Sequence, residues 1–116
     1  MKKDWSTIRE RYLQDDVPVR LGGLAANLSR IKSFANNEKN KSLVESLIDE
    51  SKHFIEWTAK ETEIETAAKL VELQVELALW QIKMNQIWVD VNQRRQISER
   101  SSNWSQQVLL ASGLLS

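Results

Sequence analysis

The fold is decided by residues 61–97, which read ETEIETAAKLVELQVELALWQIKMNQIWVDVNQRRQI. This stretch contains neither glycine nor proline, and good helix formers dominate it. Two capping-box patterns, Thr58-x-x-Glu61 and Thr62-x-x-Glu65, lie at its amino-terminal end. We therefore predict a long helix over about 61–97, roughly 54 Å long at a rise of 1.5 Å per residue; the sequence leaves open whether it is continuous.

Apolar residues form two rows along this predicted helix. The first row consists of Ile64, Ala67, Val71, Val75, Ala78, Ile82 and Val89. The second row lies roughly 150° away around the helix and consists of Leu70, Leu73, Leu77, Trp80, Met84, Ile87 and Val91. One apolar row is what an ordinary member of a helical bundle needs, so a second row calls for a second set of neighbours.

We expect that further neighbour to be another copy of the chain, because the other predicted helices are too few and too short to surround the long one. In a two-fold dimer the long helix would meet itself antiparallel. The predicted interface residues are Leu70, Leu73, Leu77, Trp80, Met84, Ile87, Trp88 and Val91. Two alternatives stay open: a monomeric bundle whose terminal helices cover the second row, and a groove for a helix of a different protein.

The rest of the chain predicts shorter helices around the long one. Asp16 followed by Pro18 indicates a helix start, and the polar run 36–41 indicates a turn between two helices. The pair Gly22-Gly23 predicts either close approach of another helix or a kink. The helices are expected at about 4–13, 17–36, 42–57, 61–97 and 103–112. We predict a single all-α domain over 1–116, an up-down helical bundle with one long central helix and short accessory helices at both termini.

Composition and charge limit the partners. Sixteen basic and sixteen acidic side chains cancel, so no global field attracts nucleic acid or an anionic membrane. There is no cysteine, which excludes disulfides, thiolate metal sites and cysteine nucleophiles. No apolar segment follows Lys2 and Lys3, and no apolar run approaches the ~20 residues of a membrane span. We expect a cytoplasmic protein without a membrane segment.

Motifs for catalysis or cofactor binding are missing from the sequence. Glu50-x-x-His53 has the spacing of a di-iron ligand pair, yet a di-iron site needs two such pairs and additional glutamates. No nucleophile elbow, glycine-rich phosphate loop or His-Glu-x-x-His zinc motif occurs. We predict a protein that is not an enzyme and that needs no metal or cofactor.

Arg94, Arg95 and Arg100 form the most basic segment and could contact phosphates. Asp90 and Glu99 dilute that charge, and cations near a helix end also have a purely electrostatic explanation. Our prediction is therefore a homodimeric helical-bundle protein that acts by protein-protein association, as an adaptor, scaffold or regulatory module. The alternative is a nucleic-acid-associated regulator that uses the three arginines, with Arg20 and Arg30 as further contacts.

Overall fold

The computed structural model describes residues 3–114, and every regular element in that range is helical. The all-α prediction is confirmed. The helices are α1 (Trp5–Gln14), α2 (Val17–Phe34), α3 (Lys41–Thr58), α4 (Ile64–Trp88) and α5 (Val91–Ser112), with short 3-10 turns at Glu38–Asn40 and Ala59–Glu61.

Aspartates begin three of these helices. The Asp4 carboxylate accepts from the Thr7 amide at the start of α1, and Asp16 accepts from Val19 at the start of α2. Asp90 accepts from two amides in the first turn of α5. Each carboxylate satisfies backbone donors that the helix itself leaves unpaired. Gly113 ends α5 with a left-handed φ of 76°, which glycine adopts without steric cost.

The four longer helices pack in a ring. Helix α2 packs against α3 and, most extensively, against α5, while α4 packs against α3 and α5. Buried residues from all four form one core, whose fully enclosed side chains include Leu24, Leu28, Ile48, Leu73 and Leu77. Helix α1 lies outside the ring and contacts α3 through aromatic side chains, with Trp5 stacked on His53 and Tyr12 stacked on Phe54.

Helices α2 and α5 approach closely along a seam of small residues. The Ser105 hydroxyl donates to the carbonyl of Ala25, and the Ser98 hydroxyl donates to that of Lys32, both over 2.8 Å. A Cβ atom at Gly22 would lie 2.9 Å from the Cδ1 atom of Leu114, just past the end of α5. The structure therefore shows a close approach of the α5 end of the chain to α2 at Gly22, which is one of the two predictions made from Gly22-Gly23.

The predicted long helix over 61–97 is divided between two helices. Helix α4 ends at Trp88, Asp90 has an extended backbone, and α5 begins at Val91 and returns along α2. A single long central helix is therefore absent from the described residues, because α5, with 22 residues, is nearly as long as α4, with 25. The predicted separate helix at 103–112 is the second half of α5.

The break is fixed by side chains that bond to the backbone around it. The Asp90 carboxylate accepts from the amides of Asn92 and Gln93, which competes with continuation of the helix through this point. The Trp88 indole donates over 2.6 Å to the carbonyl of Glu38, in the turn before α3, and the Arg94 guanidinium donates to the Trp88 carbonyl. These contacts hold the end of α4 to the turn and to the start of α5.

Candidate association surface

The second row of α4 lies inside the protomer. Leu73 and Leu77 are completely buried, and Leu70, Met84, Ile87 and Trp88 are buried as well. Trp80 is half-buried against the same core. Val91 is exposed, because it belongs to the first turn of α5 and not to α4.

This placement corrects the predicted roles of the two rows. The prediction favoured a second copy as the cover of the second row because the other predicted helices were short. Instead the chain turns at Val89-Asp90 and α5 returns to pack on α4, as in the alternative in which a terminal helix covers that row. A second copy cannot reach side chains that α5 and the rest of the core already enclose.

The first row of α4 faces outward. Its large members are Ile64 (86% exposed), Val71 (52%), Val75 (56%), Ile82 (79%) and Val89 (84%). Leu79, beside this row, is 47% exposed. At 1.5 Å per residue α4 is about 37 Å long, close to the 38 Å longest dimension of the molecule. We call Ile64, Val71, Val75, Leu79, Ile82 and Val89 the outward face.

One flank of the outward face is occupied by amides that hold α4 to α3. The Gln74 amide donates to the carbonyl of Lys52 over 3.3 Å, and the Lys52 ammonium donates to Gln81 over 2.7 Å. The Lys41 ammonium donates to the Asn85 carbonyl oxygen over 2.6 Å. This flank presents the amides of α4 together with the two lysine ammonium groups of α3 that are bonded to them.

The other flank is charged and turned toward α5. Arg100 donates to both carboxylate oxygens of Glu76, each over 2.7 Å, and its guanidinium lies 5.9 Å from the centre of the Trp104 ring. The Trp104 indole also donates to Glu76 over 3.1 Å. The hydrogen bond from Arg100 is the main reason that the pKa of Glu76 is lowered from its ordinary value. This cluster ties α4 to α5 at the edge of the outward face.

The basic segment does not present three unengaged cations. Arg94 donates to the Trp88 carbonyl and lies 5.7 Å from the Trp88 ring centre, and Arg100 is the partner of Glu76. Arg95 is exposed. Two of the three guanidinium groups therefore stabilise contacts between α4 and α5, which leaves a poor surface for phosphates.

The two additional arginines proposed for nucleic acid are also engaged within the chain. Arg20 is buried, donates over 2.6 Å to Glu61, and donates to the carbonyls of Asp15 and Leu13. Arg30 donates over 3.1 Å to the side chain of Asn27. The buried guanidinium of Arg20 joins the α1–α2 junction to the turn before α4.

The Glu50-x-x-His53 pair does not converge on a common point. Glu50 accepts from the buried Asn27 amide over 3.0 Å. The ring of His53 stacks on Trp5 at 3.8 Å between centroids, and its Nδ1 atom lies 2.9 Å from the Asp49 carbonyl oxygen. Within residues 3–114, no three His, Asp or Glu side chains form a group that could hold a metal ion.

An open cleft of ≈ 600 Å³ lies beside α2, between Tyr12, Glu50 and Leu114. The polar side chains on its wall bond to each other, because Asn27 donates to Glu50 and accepts from Arg30. Tyr12 donates its hydroxyl to the Arg20 carbonyl over 2.6 Å, and burial raises the pKa of that hydroxyl to about 12. Tyr12 is therefore not suited to act as a general acid or base near neutral pH.

The chain matches no family model, no curated protein and no solved structure with which it was compared. In the described part of the chain, no helix has both the length and the apolar composition needed to cross a membrane. The outward face of α4 is thus the feature from which function is inferred.

The sequence analysis found the apolar row that forms the outward face but interpreted it as the side of the helix that packs in the bundle core. The outward face consists of isoleucine, valine and leucine at helical spacing, as a core face does. The signal that separates the two rows is residue size, because the second row alone carries tryptophan and methionine together with three leucines. On α4, leucine, methionine and tryptophan side chains fill most of the protomer core.

Proposed function

We propose that this protein acts by protein-protein association, as an adaptor, scaffold or regulatory module without an enzymatic activity of its own, and that it forms a homodimer through α4. The observation that supports the proposal is the outward face, a continuous apolar row on the side of α4 opposite the core. The partner surface on each protomer is the same face, as a two-fold dimer requires.

The hydrophobic effect supplies the driving force. Ile64, Ile82 and Val89 each leave about four fifths of their surface in water in the protomer. Burying apolar surface contributes roughly 25 cal/mol per Å², and exposed apolar patches that run in one continuous strip typically mark interaction sites. Val71, Val75, Leu79 and Ile82 form the middle of the strip, and Ile64 and Val89 lie seven positions beyond it at the two ends.

A second copy is the occupant whose dimensions fit. The outward face extends over the whole of α4, about 37 Å at 1.5 Å per residue, and a second α4 offers a strip of equal length and equal apolar character. The Lys41–Asn85 and Arg100–Glu76 contacts hold α4 to its neighbours on both flanks. The surface is therefore rigid before association, which lowers the conformational entropy lost on binding.

The test is the solution mass by light scattering across a dilution series. We expect twice the chain mass of 13.4 kDa for the wild type, and a folded monomer for the double variant Val75→Glu/Ile82→Glu. The matched control is Gln96→Glu/Gln106→Glu, which adds the same charge at exposed positions of α5 and should leave the dimer intact. A wild type that stays monomeric at every concentration would refute the homodimer.

A further inference from the structure

The apolar residues along the centre of the first row, with Ala78 in place of the flanking Leu79, have a spacing that reads the same in both directions. Along the centre of the row the residues are Ile64, Val71, Val75, Ala78, Ile82 and Val89, separated by seven, four, three, four and seven positions. Ile64 and Val89, Val71 and Ile82, and Val75 and Ala78 are thus three pairs with a common midpoint between Glu76 and Leu77. This symmetry lets the row of one copy lie level, pair by pair, with the row of a second copy that runs in the opposite direction.

We infer that α4 pairs antiparallel with α4 of a second copy, about a two-fold axis that passes beside Glu76 and Leu77. This inference rests on the proposed function and specifies the geometry of its dimer. In a two-fold interface a contact from residue i to residue j is repeated from j to i. Val71 of one copy then lies level with Ile82 of the other, and Ile64 lies level with Val89.

Residues beside the row fit the same arrangement. Ala67 and Ala68 lie near one end of α4, and Asn85 and Gln86 lie near the other, each pair adjacent to the row. In the antiparallel pair the two alanines of one copy face the two longer amides of the other. Small residues therefore lie opposite larger ones at both ends of the interface, which lets the helices approach at a uniform distance.

The charges on the α5 flank also favour the antiparallel direction. Glu72 and Lys83 are exposed, lie on that flank, and enter no salt bridge within residues 3–114. A two-fold axis perpendicular to the helices brings the same flank of both copies together and puts Glu72 within about 3 Å of the level of Lys83 in the second copy. Two reciprocal ion pairs result.

A parallel dimer would pair neither Val71 with Ile82 nor Glu72 with Lys83. It would place the charged flank of one helix against the amide flank of the other, where Gln74, Gln81 and Asn85 are bonded to α3. Glu72 and Lys83 would then face these amides and the Lys41 and Lys52 ammonium groups bonded to them, so the reciprocal Glu72–Lys83 pairs would not form, and each residue of the row would lie level with itself.

Direction is tested by cross-linking, for which the chain is well suited because it contains no cysteine. The single variants Val71→Cys and Ile82→Cys are each purified, treated alone or as an equilibrated mixture with a short thiol-to-thiol cross-linker, and analysed by mass. We expect a covalent dimer only when the two variants are mixed. In an antiparallel dimer of one variant the two copies of position 71 are roughly 16 Å apart along the helix axis, too far for a short cross-linker. Covalent dimers of each variant by itself would show a parallel dimer and overturn the inference.

Charge exchange is an independent test of the register. Glu72→Lys and Lys83→Glu should each weaken self-association, raising the dimer Kd roughly tenfold because two attractive pairs become repulsive. An equimolar mixture of the two variants should return to about the wild-type Kd, because the mixed dimer has two attractive pairs again, one native Glu72–Lys83 pair and one pair with the charges exchanged. Failure of the mixture to recover would overturn the proposed register.

The two proposals fail in distinguishable ways. A monomeric wild type by light scattering refutes the homodimer itself and the antiparallel geometry with it. A wild-type dimer that Val75→Glu/Ile82→Glu dissociates, but that cross-links at identical positions, leaves the proposed function standing and overturns only the direction of pairing. Circular dichroism of each variant serves as the control that these exposed substitutions leave the helices intact.

Discussion

The two faces of α4 have nearly the same apolar character and opposite environments. Leu73 and Leu77 on the inner face are fully buried, whereas Ile64 and Ile82 on the outer face are largely exposed. Both faces belong to one regular helix, so the difference comes from what the rest of the chain covers. Hydrophobic periodicity locates apolar faces, but the path of the chain after the helix decides which face becomes core and which remains for a partner.

The largest expected effect is the difference in unfolding free energy between the same substitution on the inner face and on the outer face. Leu77→Ala should lower the free energy of unfolding by about 2–5 kcal/mol, because it opens a cavity in a closed core. Leu79→Ala, the same substitution two positions later on the outer face, should cost less than about 1 kcal/mol in the protomer. Urea denaturation followed by tryptophan fluorescence at high dilution measures both. Equal losses would mean that the two faces do not differ in burial.

An intermediate effect concerns the outer face in the dimer. Since dimerisation stabilises only folded chains, each tenfold rise in protein concentration above the Kd should add about 1.4 kcal/mol per dimer to the free energy of unfolding. The thermal midpoint of the wild type should therefore rise with concentration. The midpoint of Val75→Glu/Ile82→Glu should stay constant, and a parallel rise in that variant would assign the association to another surface.

The smallest effect concerns the boundary between the faces. The folded-state pKa of Glu76 is lowered, chiefly by the hydrogen bond from Arg100, so the cluster stabilises the fold above the ordinary value of 4.5. That contribution is lost as the pH falls below 4.5 and through the lowered pKa. Glu76→Gln should cost at most about 1 kcal/mol at neutral pH, because the cluster is partly solvated.

The pH dependence is the discriminating measurement for this variant. Unfolding free energies of wild type and Glu76→Gln should differ at pH 7 and converge in acid. A difference that persists unchanged into acid would show that the substitution acts through packing against Trp104 and not through the carboxylate charge.

Much of the fold followed from local signals. Asp16 with Pro18 placed the start of α2, and the polar run 36–41 placed the turn before α3. In each case the signal and the structure it specifies lie within a few residues of each other, so the sequence alone was sufficient. The up-down direction of the bundle remains a prediction.

The break between α4 and α5 was missed because its signal is weaker. Asp90 stands among residues that all tolerate a helix, with no glycine or proline nearby. What makes it a helix start is its context, because Trp88 is held by the distant Glu38 carbonyl and by Arg94. This error also led to the wrong interface residues. If the helix continued to residue 97, α5 would not return to pack on the second row, and that row would need a second copy of the chain to bury it.

The seam between α2 and α5 has a consequence for how the molecule folds. Its hydrogen bonds join residues far apart in the chain, such as Ser105 and Ala25, which are separated by 80 positions. Bringing such distant segments together costs loop-closure entropy before the contact is rewarded, and this slows folding relative to a bundle stabilised by neighbouring helices alone. A nascent chain that has emerged only as far as α4 still lacks the helix that packs most extensively on α2. The ring can therefore close only once α5 has been made, and α2 and the inner face of α4 await α5 as the closing element.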